Sequence, residues 1–353
     1  MDWIRSAHPF IQSHFQFFKT TKKQIGVRRI KLFDRDVPTL QAIQAAIPGA
    51  EVTVGLGNDE LSALAADPLA AVEALRPLQP FGGMIRYVAV GSEPNEAPAW
   101  EDDAKALAQV LLPAYEHTVL ALQALGGSLQ GARAVVPLTM AMVDGFAKPP
   151  PHRRKQQQRH REKQESMPVP AVAEGQFSPA WDGPLLLPLL QALNASGSGM
   201  MMNLHPYGVF KDHARTMDVG FATGSSSSNS SSGSNGYTSL LDQLHDTLVT
   251  ALAKAGYPEM EIVVGETGWP SAGGVGASAA HACRYVRSAV GRTARAGTPL
   301  RPGKGVELYL FEAFDEDGKT VFGGIEPHWG VLRENGQAKY PVDWVGDAGV
   351  DCG

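Results

Sequence analysis

Two glutamates stand at the ends of strand-like segments, and they are the residues best suited to chemistry. Glu93 follows the apolar run 86–90 and Glu266 follows the run 261–264, with turn residues after each glutamate. A carboxyl group at the carboxyl end of a buried strand lies where α/β-barrel enzymes keep their catalytic groups. Two such groups about 5 Å apart can cleave a glycosidic bond with retention, one as the acid and one as the nucleophile. Either glutamate alone could simply end a strand at the surface, but the occurrence of both favours a catalytic pair.

The two glutamates are far apart in the sequence, so only the fold can bring them together. Strand-like runs alternate with segments of helical apolar spacing, which indicates βαβ units and a parallel sheet. The runs cover residues 27–33, 51–56, 85–90, 132–138, 200–204, 261–264 and 306–311. We therefore predict one (β/α)8 TIM barrel over residues 1–353, with Glu93 after the fourth strand and Glu266 after the seventh. The first of the eight strands is apparently missing, because residues 10–23 are arranged more like a helix.

Two segments interrupt this alternation. Residues 148–163 are proline-rich and then strongly basic, and residues 223–236 are rich in serine, glycine and asparagine. Both have few apolar side chains to bury, so we interpret them as flexible surface insertions and not as domain boundaries. A polyanion-binding or nuclear-localisation role for the basic run is the alternative.

Composition limits the classes of partner. The net charge of -5 gives no reason to expect nucleic acid, and 43% apolar residues describe an ordinary globular protein with an ample core. The two cysteines, Cys283 and Cys352, predict neither a disulfide framework nor a cysteine-rich metal site. No signal peptide and no stretch of about 18 apolar residues is visible. We expect a monomer with no metal, no other cofactor and no membrane span.

Several motifs resemble those of one enzyme family. Residues 263–274 match a twelve-residue nucleophile motif with two changes, at Gly265 and Thr267. Further matches lie at residues 28–34, 54–59, 203–207, 309–316 and 328–332. On these residues the chain resembles the plant-type endo-1,3-β-glucanases of glycoside hydrolase family 17, and the resemblance covers nearly the whole chain.

The resemblance implies retaining endo-hydrolysis of 1,3-β-D-glucosidic linkages, in callose-like or laminarin-like glucans, through a glycosyl-enzyme intermediate. Glu93 corresponds to the general acid/base and Glu266 to the nucleophile. These roles require Glu93 to be held protonated by burial or by its negative neighbour, and Glu266 to be held ionised by hydrogen bonds or cations.

The resemblance also suggests a set of residues around a substrate cleft. They are Ser92, Tyr207, Trp269, Phe314, Glu316, Lys319 and Glu326. The aromatic rings could pack on sugar faces, although a core position is at least as common for any single ring. Lys319 could hold a carboxylate ionised or be an ordinary surface lysine. Ser92 stands where most plant members have asparagine, and its shorter side chain could still bond to a sugar 2-hydroxyl.

Other interpretations remain open. A transglycosylase would use the same intermediate with a sugar hydroxyl as acceptor. A glucan-binding protein without turnover is suggested by the missing strand and Ser92, but a pure binder has no need of both glutamates. His205 replaces a tyrosine that is usual in the family, and we expect it to pack or to contact substrate and not to bind a metal.

The resemblance predicts a secreted or cell-wall protein. A truncated N-terminus would account for both the missing strand and the missing signal peptide. The sequons at Asn194 and Asn229 would suit a secreted glycoprotein, although such tripeptides often arise by chance.

Overall fold

The computed structural model describes residues 28–100, 103–146, 169–225, 236–322, 324–341 and 351–353. The strands are β1 (Arg29–Lys31), β2 (Glu51–Leu56), β3 (Ile85–Val90), β4 (Arg133–Val135), β5 (Pro137–Thr139), β6 (Met200–Asn203), β7 (Ile262–Thr267), β8 (Gly297–Thr298), β9 (Arg301–Pro302) and β10 (Glu307–Leu310). The α-helices are α1 (Val37–Ala46), α2 (Leu61–Ala66), α3 (Pro68–Leu75), α4 (Ala104–Leu125), α5 (Pro179–Trp181), α6 (Leu187–Ala195), α7 (Pro206–His213), α8 (Val219–Thr223), α9 (Leu240–Lys254), α10 (Ala279–Ser288) and α11 (Ala294–Ala296).

The main strands form two parallel sheets, ordered β1-β2-β3-β4 and β10-β7-β6-β5. Only Val136 separates β4 from β5, so one strand passes from the first sheet into the second. Each of the seven predicted strand segments therefore contains a strand, and the predicted α/β architecture with parallel strands is confirmed. Strands β8 and β9 form a separate short antiparallel pair.

Some predictions fall outside the described residues. The position of the first barrel strand and the basic insertion 148–163 lie there entirely. The insertion 223–236 lies there except at its edges. Its first residue, Thr223, is buried at the end of α8 and donates a hydrogen bond to the Val219 carbonyl, so any loop begins after it.

The two sheets face a common interior. Six inward-pointing side chains from both sheets form one buried cluster: Tyr87, Ala89, Val135, Met201, Val263 and Tyr309. The intervening residues of β3, Val88 and Val90, point outward into the larger core with the helices. Strands covered on both faces are mostly apolar, which explains the long apolar runs in these segments.

An ion network joins the two sheets at the amino ends of the strands. The Arg86 guanidinium donates two hydrogen bonds to Glu307, at 3.0 and 2.7 Å. Arg29 donates to Glu51 at 2.8 Å and lies 3.6 Å from Glu307. The planar guanidinium fork of Arg86 matches the carboxylate geometry, which makes this pair the best-defined link of the network. Strands β1, β2 and β3 are thereby connected to β10 at the end opposite to the glutamate pair.

A disulfide between Cys283 of α10 and Cys352 ties residues 351–353 to the helical layer. The Cα atoms of the two cysteines are 5.7 Å apart, although 69 positions separate them in the sequence. The sequence did not predict this bond, because two isolated cysteines with no characteristic spacing carry no pairing signal.

Candidate active site

Glu266 lies inside β7 and not after it, because this strand continues to Thr267. One oxygen of its carboxylate, Oε1, accepts a hydrogen bond from the Lys31 ammonium at 2.5 Å. Lys31 is the last residue of β1 and reaches Glu266 from the other sheet. Only 6% of the Lys31 side chain and 10% of the Glu266 side chain are exposed. The two residues thus form a buried ion pair, in which each charge compensates the other.

Glu93 lies three residues after β3 in a strained backbone conformation. Its φ of 47° is in the left-handed region, which a non-glycine residue adopts at a cost of about 1–3 kcal/mol. Gly91, with φ 76°, allows the chain to turn just before it. The Glu93 amide donates to the Pro137 carbonyl at 3.1 Å, which fixes the turn against β5. Such strain persists where the surroundings over-determine it, which is typical of functional sites.

The surroundings of Glu93 favour its protonated form. Burial raises the pKa of the Glu93 carboxyl, and the charges of Glu266 and Glu96 act in the same direction. A hydrogen bond from Asn203 at 2.9 Å and the nearby His205 ring act against this effect but do not cancel it. Glu93 therefore keeps its proton to a higher pH than an ordinary glutamate, as a general acid must.

The structure brings the two carboxyl groups face to face. One oxygen of Glu93, one oxygen of Glu266 and a ring nitrogen of His205 all lie within 4.8 Å of one another. This separation suits a retaining carboxyl pair, whereas inverting pairs are about 6.5–9.5 Å apart.

The same three atoms do not form a compact metal site. Zinc bound at about 2.1 Å to each ligand requires ligand atoms roughly 3.4 Å apart. His205 Nε2 is 3.9 Å from both carboxyl oxygens, and the Lys31 ammonium already neutralises Glu266. The cluster therefore fits a pair of reacting carboxyl groups better than a metal centre.

Comparisons with known proteins agree with this geometry. The family model for glycosyl hydrolases family 17 matches residues 170–344. Glucan endo-1,3-β-glucosidase 5 of Arabidopsis thaliana is 30% identical over 328 residues, which are 91% of this chain and 61% of that protein. Lichenase-2 of Hordeum vulgare is 30% identical over 322 residues, which are 90% of each chain. The chain belongs to glycosyl hydrolase family 17.

Similarity of structure supports the same conclusion. CJP38, a β-1,3-glucanase and allergen of Cryptomeria japonica pollen, superposes with a TM-score of 0.76 at 27% identity, covering 94% of both chains. The chain is thus a glycoside hydrolase with a TIM-barrel-like fold. Among the described residues, no helix is long and apolar enough to cross a membrane.

Two of the predicted aromatic residues of this family 17 hydrolase lie in the core. Tyr207 is 0% exposed and Trp269 is 1% exposed, and their rings pack edge to face at 5.1 Å. The Trp269 indole donates to the Gly276 carbonyl at 3.0 Å and so anchors the loop after β7. Both residues therefore take the core position that was the alternative to sugar stacking. Phe314 is also buried.

The predicted charged residues take different positions. Lys319 pairs with Glu316 at 2.6 Å and with Glu312 at 3.4 Å. Glu326 begins the 3-10 turn Glu326–His328 and is half-buried. Glu312 was not predicted; burial, opposed by the Lys319 charge, raises the pKa of this carboxyl to about 8.

Ser92 is held through its main chain beside Glu93. Its amide donates to the Asn58 side chain at 2.9 Å, and its carbonyl accepts from the same side chain at 2.8 Å. These two hydrogen bonds with the Asn58 side chain fix the orientation of the Ser92 backbone.

An aromatic wall next to the glutamate pair was missed by sequence reasoning. Phe33 is 47% exposed and packs edge to face on Phe311, with ring centroids 6.4 Å apart. Phe311 in turn contacts Trp329 at 5.8 Å. Phe33 and Phe311 both follow strands, as Glu93 does. An aromatic residue just beyond a predicted strand is the signal that could have found them.

Proposed function

We propose that this family 17 hydrolase cleaves 1,3-β-linked glucans internally and with retention, with Glu93 as the acid/base and Glu266 as the nucleophile. One observation carries the proposal: two carboxyl groups within 4.8 Å of each other have opposite surroundings. Lys31 forms an ion pair with Glu266, whereas burial raises the pKa of the Glu93 carboxyl. Environments that push two carboxyl groups toward different protonation states define an acid and a nucleophile.

The chemistry follows from this arrangement. The Glu266 oxygen that Lys31 does not hold attacks the anomeric carbon, while Glu93 gives its proton to the leaving oxygen. Glu93 is then a carboxylate and takes a proton from the water that hydrolyses the glycosyl ester. The Asn203 amide, which donates to Glu93, stabilises the carboxylate between the two steps.

The preference for 1,3-β-glucan rests on the relatives and on the cleft wall. Glucan endo-1,3-β-glucosidase 5 and the β-1,3-glucanase CJP38 are named for this linkage, whereas lichenase-2 is not. We assign sugar stacking to the exposed ring of Phe33. Further substrate contacts are proposed for Ser92, Glu316, Lys319 and Glu326.

Transglycosylation is the second candidate, since it shares the intermediate and differs only in the acceptor. The glucan-binding alternative is disfavoured by the buried pair of Lys31 and Glu266. A binder would gain little from burying two charges, which is costly in the absence of a chemical role.

Architecture and location complete the proposal. We infer a single (β/α)8 domain in which the parallel strands, with β4 and β5 counted as one, occupy positions two to eight, and we expect a monomer. Secretion or cell-wall residence is supported by the disulfide of Cys283 and Cys352, because such bonds persist in oxidising compartments.

Alanine variants test the two roles. Glu266→Ala should abolish turnover of laminarin and of an activated aryl laminaribioside, because no ester can form. Glu93→Ala should impair turnover of laminarin far more than turnover of the aryl substrate. Azide should partly restore the second step with the aryl substrate and yield a laminaribiosyl azide. Glu73→Ala, which removes an exposed glutamate of α3, is the control and should leave both activities unchanged.

The outcomes of these assays distinguish the proposed roles of the two glutamates from the alternatives. Full activity of Glu266→Ala would overturn the assignment of the nucleophile. Loss of aryl turnover in Glu93→Ala without any rescue by azide would overturn the assignment of the acid/base. Longer oligosaccharides among the wild-type products would favour the transglycosylase.

A further inference from the structure

His205 stands between the two carboxyl groups. Its Nε2 atom is 3.9 Å from Glu93 Oε1 and 3.9 Å from Glu266 Oε2. The residue comes two positions after Asn203, which ends β6 and pairs in register with Glu266. The segment that follows β6, the neighbour of β7 in the sheet, thus places an imidazole at equal distance from both carboxyl groups.

The imidazole ring is held in place by two aromatic neighbours. Phe311 and Trp329 pack against it, with centroid distances of 6.1 and 5.8 Å. The other ring nitrogen, Nδ1, is buried and has no hydrogen-bond partner within the described part of the chain. A buried N–H without an acceptor is rarer than a buried acceptor without a donor. We therefore assign an N–H to Nε2, the ring atom that lies 3.9 Å from an oxygen of each carboxyl group.

We propose that His205 is a positioning residue that stabilises negative charge on each of the two carboxyl groups in turn. The proposal rests on the function proposed above. When the glycosyl ester forms, Glu266 loses its negative charge and Glu93 acquires one by giving up its proton. When the ester is hydrolysed, the charge returns. An N–H at equal distance from both carboxyl oxygens can stabilise the negative charge on Glu93 while the ester exists and on Glu266 after the ester is hydrolysed.

Each of the other polar groups near the two carboxyl groups acts on only one of them. Lys31 on β1 reaches Glu266, and Asn203 on β6 reaches Glu93. On the turn after β3, Glu96 raises the pKa of Glu93. His205 differs from these three residues because it lies close to both carboxyl groups.

One further charged pair faces this region from the segment after β10. Glu312 and Lys319 lie next to Phe311, and the Lys319 ammonium is 5.1 Å from the Phe311 ring. This pair and the groups on β1, β6 and the turn after β3 remain in place when His205 is replaced, so they form a constant background in the test.

The test compares His205→Phe with His205→Gln. Phenylalanine keeps the packing on Phe311 and Trp329 but removes the N–H, whereas glutamine retains a donor. We expect His205→Phe to slow both ester formation and ester hydrolysis by about 10- to 100-fold, since the loss of one donor that stabilises a developing charge has effects of this order or larger. Both limbs of the pH–rate profile should move to higher pH, because both carboxyl groups lose a favourable partner. His205→Gln should recover part of the rate.

Two controls separate this role from a structural one. His117→Gln changes a histidine on α4 that bonds to the Leu64 carbonyl, and it should leave the profile unchanged. Asn203→Ala affects Glu93 alone, so it should move the basic limb and leave the acidic limb in place.

An unchanged pH profile in His205→Phe, or a loss confined to one of the two steps, would overturn the inference. If His205→Phe does not fold, the same two readouts are taken from His205→Leu, which also lacks the N–H, and are again compared with His205→Gln. If Glu266→Ala is inactive but the His205 variants behave as wild type, the proposed function stands and only this inference fails.

Discussion

Replacing Lys31 with methionine tests how Glu266 is kept ionised. The Lys31 ammonium lies 2.5 Å from the Glu266 carboxylate, and both side chains are about nine-tenths buried. Removing one partner of a buried pair costs about 3–5 kcal/mol, because a charge is left without compensation. Glu266 avoids this cost by taking a proton. Since about 1.4 kcal/mol corresponds to one pH unit, the acidic limb of the pH–rate profile can move upward by at most about 2–3.5 units. We expect about 1–2 units, because the mouth of the site admits some solvent.

The assay is the dependence of kcat/KM on pH for an activated aryl laminaribioside, measured beside the thermal midpoint. Lys339→Met is the matched control, because Lys339 pairs with Asp315 at the same 2.5 Å and with similar burial. Both variants should lose stability, but only Lys31→Met should move the acidic limb. A wild-type acidic limb in folded Lys31→Met would refute the role given to Lys31, and an equal shift in Lys339→Met would show that the shift reports general destabilisation.

Two further predictions concern stability. Burial raises the pKa of Glu312 to about 8 from an ordinary value of 4.5, so the folded state binds this proton more tightly than the unfolded state. This stabilisation is present below about pH 4.5 and is lost as the pH rises toward 8. In wild type the free energy of unfolding in urea should therefore decline between pH 5 and 8, and Glu312→Gln should reduce this decline by up to about 4 kcal/mol. An equally steep decline in the variant would contradict the prediction. Cys352→Ser and Cys283→Ser each open a disulfide that spans 69 positions, so each should lower the free energy of unfolding by about 2–4 kcal/mol. Specific activity at 25 °C should be retained. Unchanged thermal midpoints in both variants would show that the disulfide adds nothing to stability.

Sequence reasoning located the strands because strands covered on both faces leave continuous apolar runs. It also placed Glu93 and Glu266 at one end of the sheets, since parallel strands all end on the same side. These two inferences required no knowledge of register. The description of β3 as a buried strand followed by a turn agrees with the structure for the same reason.

Contacts across the interior could not be predicted in this way. Lys31 is one of two basic residues in the three-residue strand β1, and only the alternation of inward and outward side chains, together with the register of β1, reveals that it faces Glu266. Asn203 is similar, because its pairing opposite Glu266 depends on a register shift within β6 and β7. Burial of Tyr207 and Trp269 depends on the path of the loop after β7, which apolar periodicity does not encode.

The identity of the nucleophile is tested most directly by trapping the glycosyl-enzyme. A 2-deoxy-2-fluoro-laminaribiosyl fluoride keeps a good leaving group for the first step, while its 2-fluorine destabilises the oxocarbenium-like transition state of the second, so the covalent ester accumulates. The complex is digested with pepsin and the labelled peptide is sequenced by mass spectrometry. We expect one sugar per chain, attached to Glu266. A label on Glu93 or on any other residue, or turnover of laminarin by an enzyme that never acquires a label, would contradict the assignment of Glu266 as the nucleophile of a retaining hydrolase.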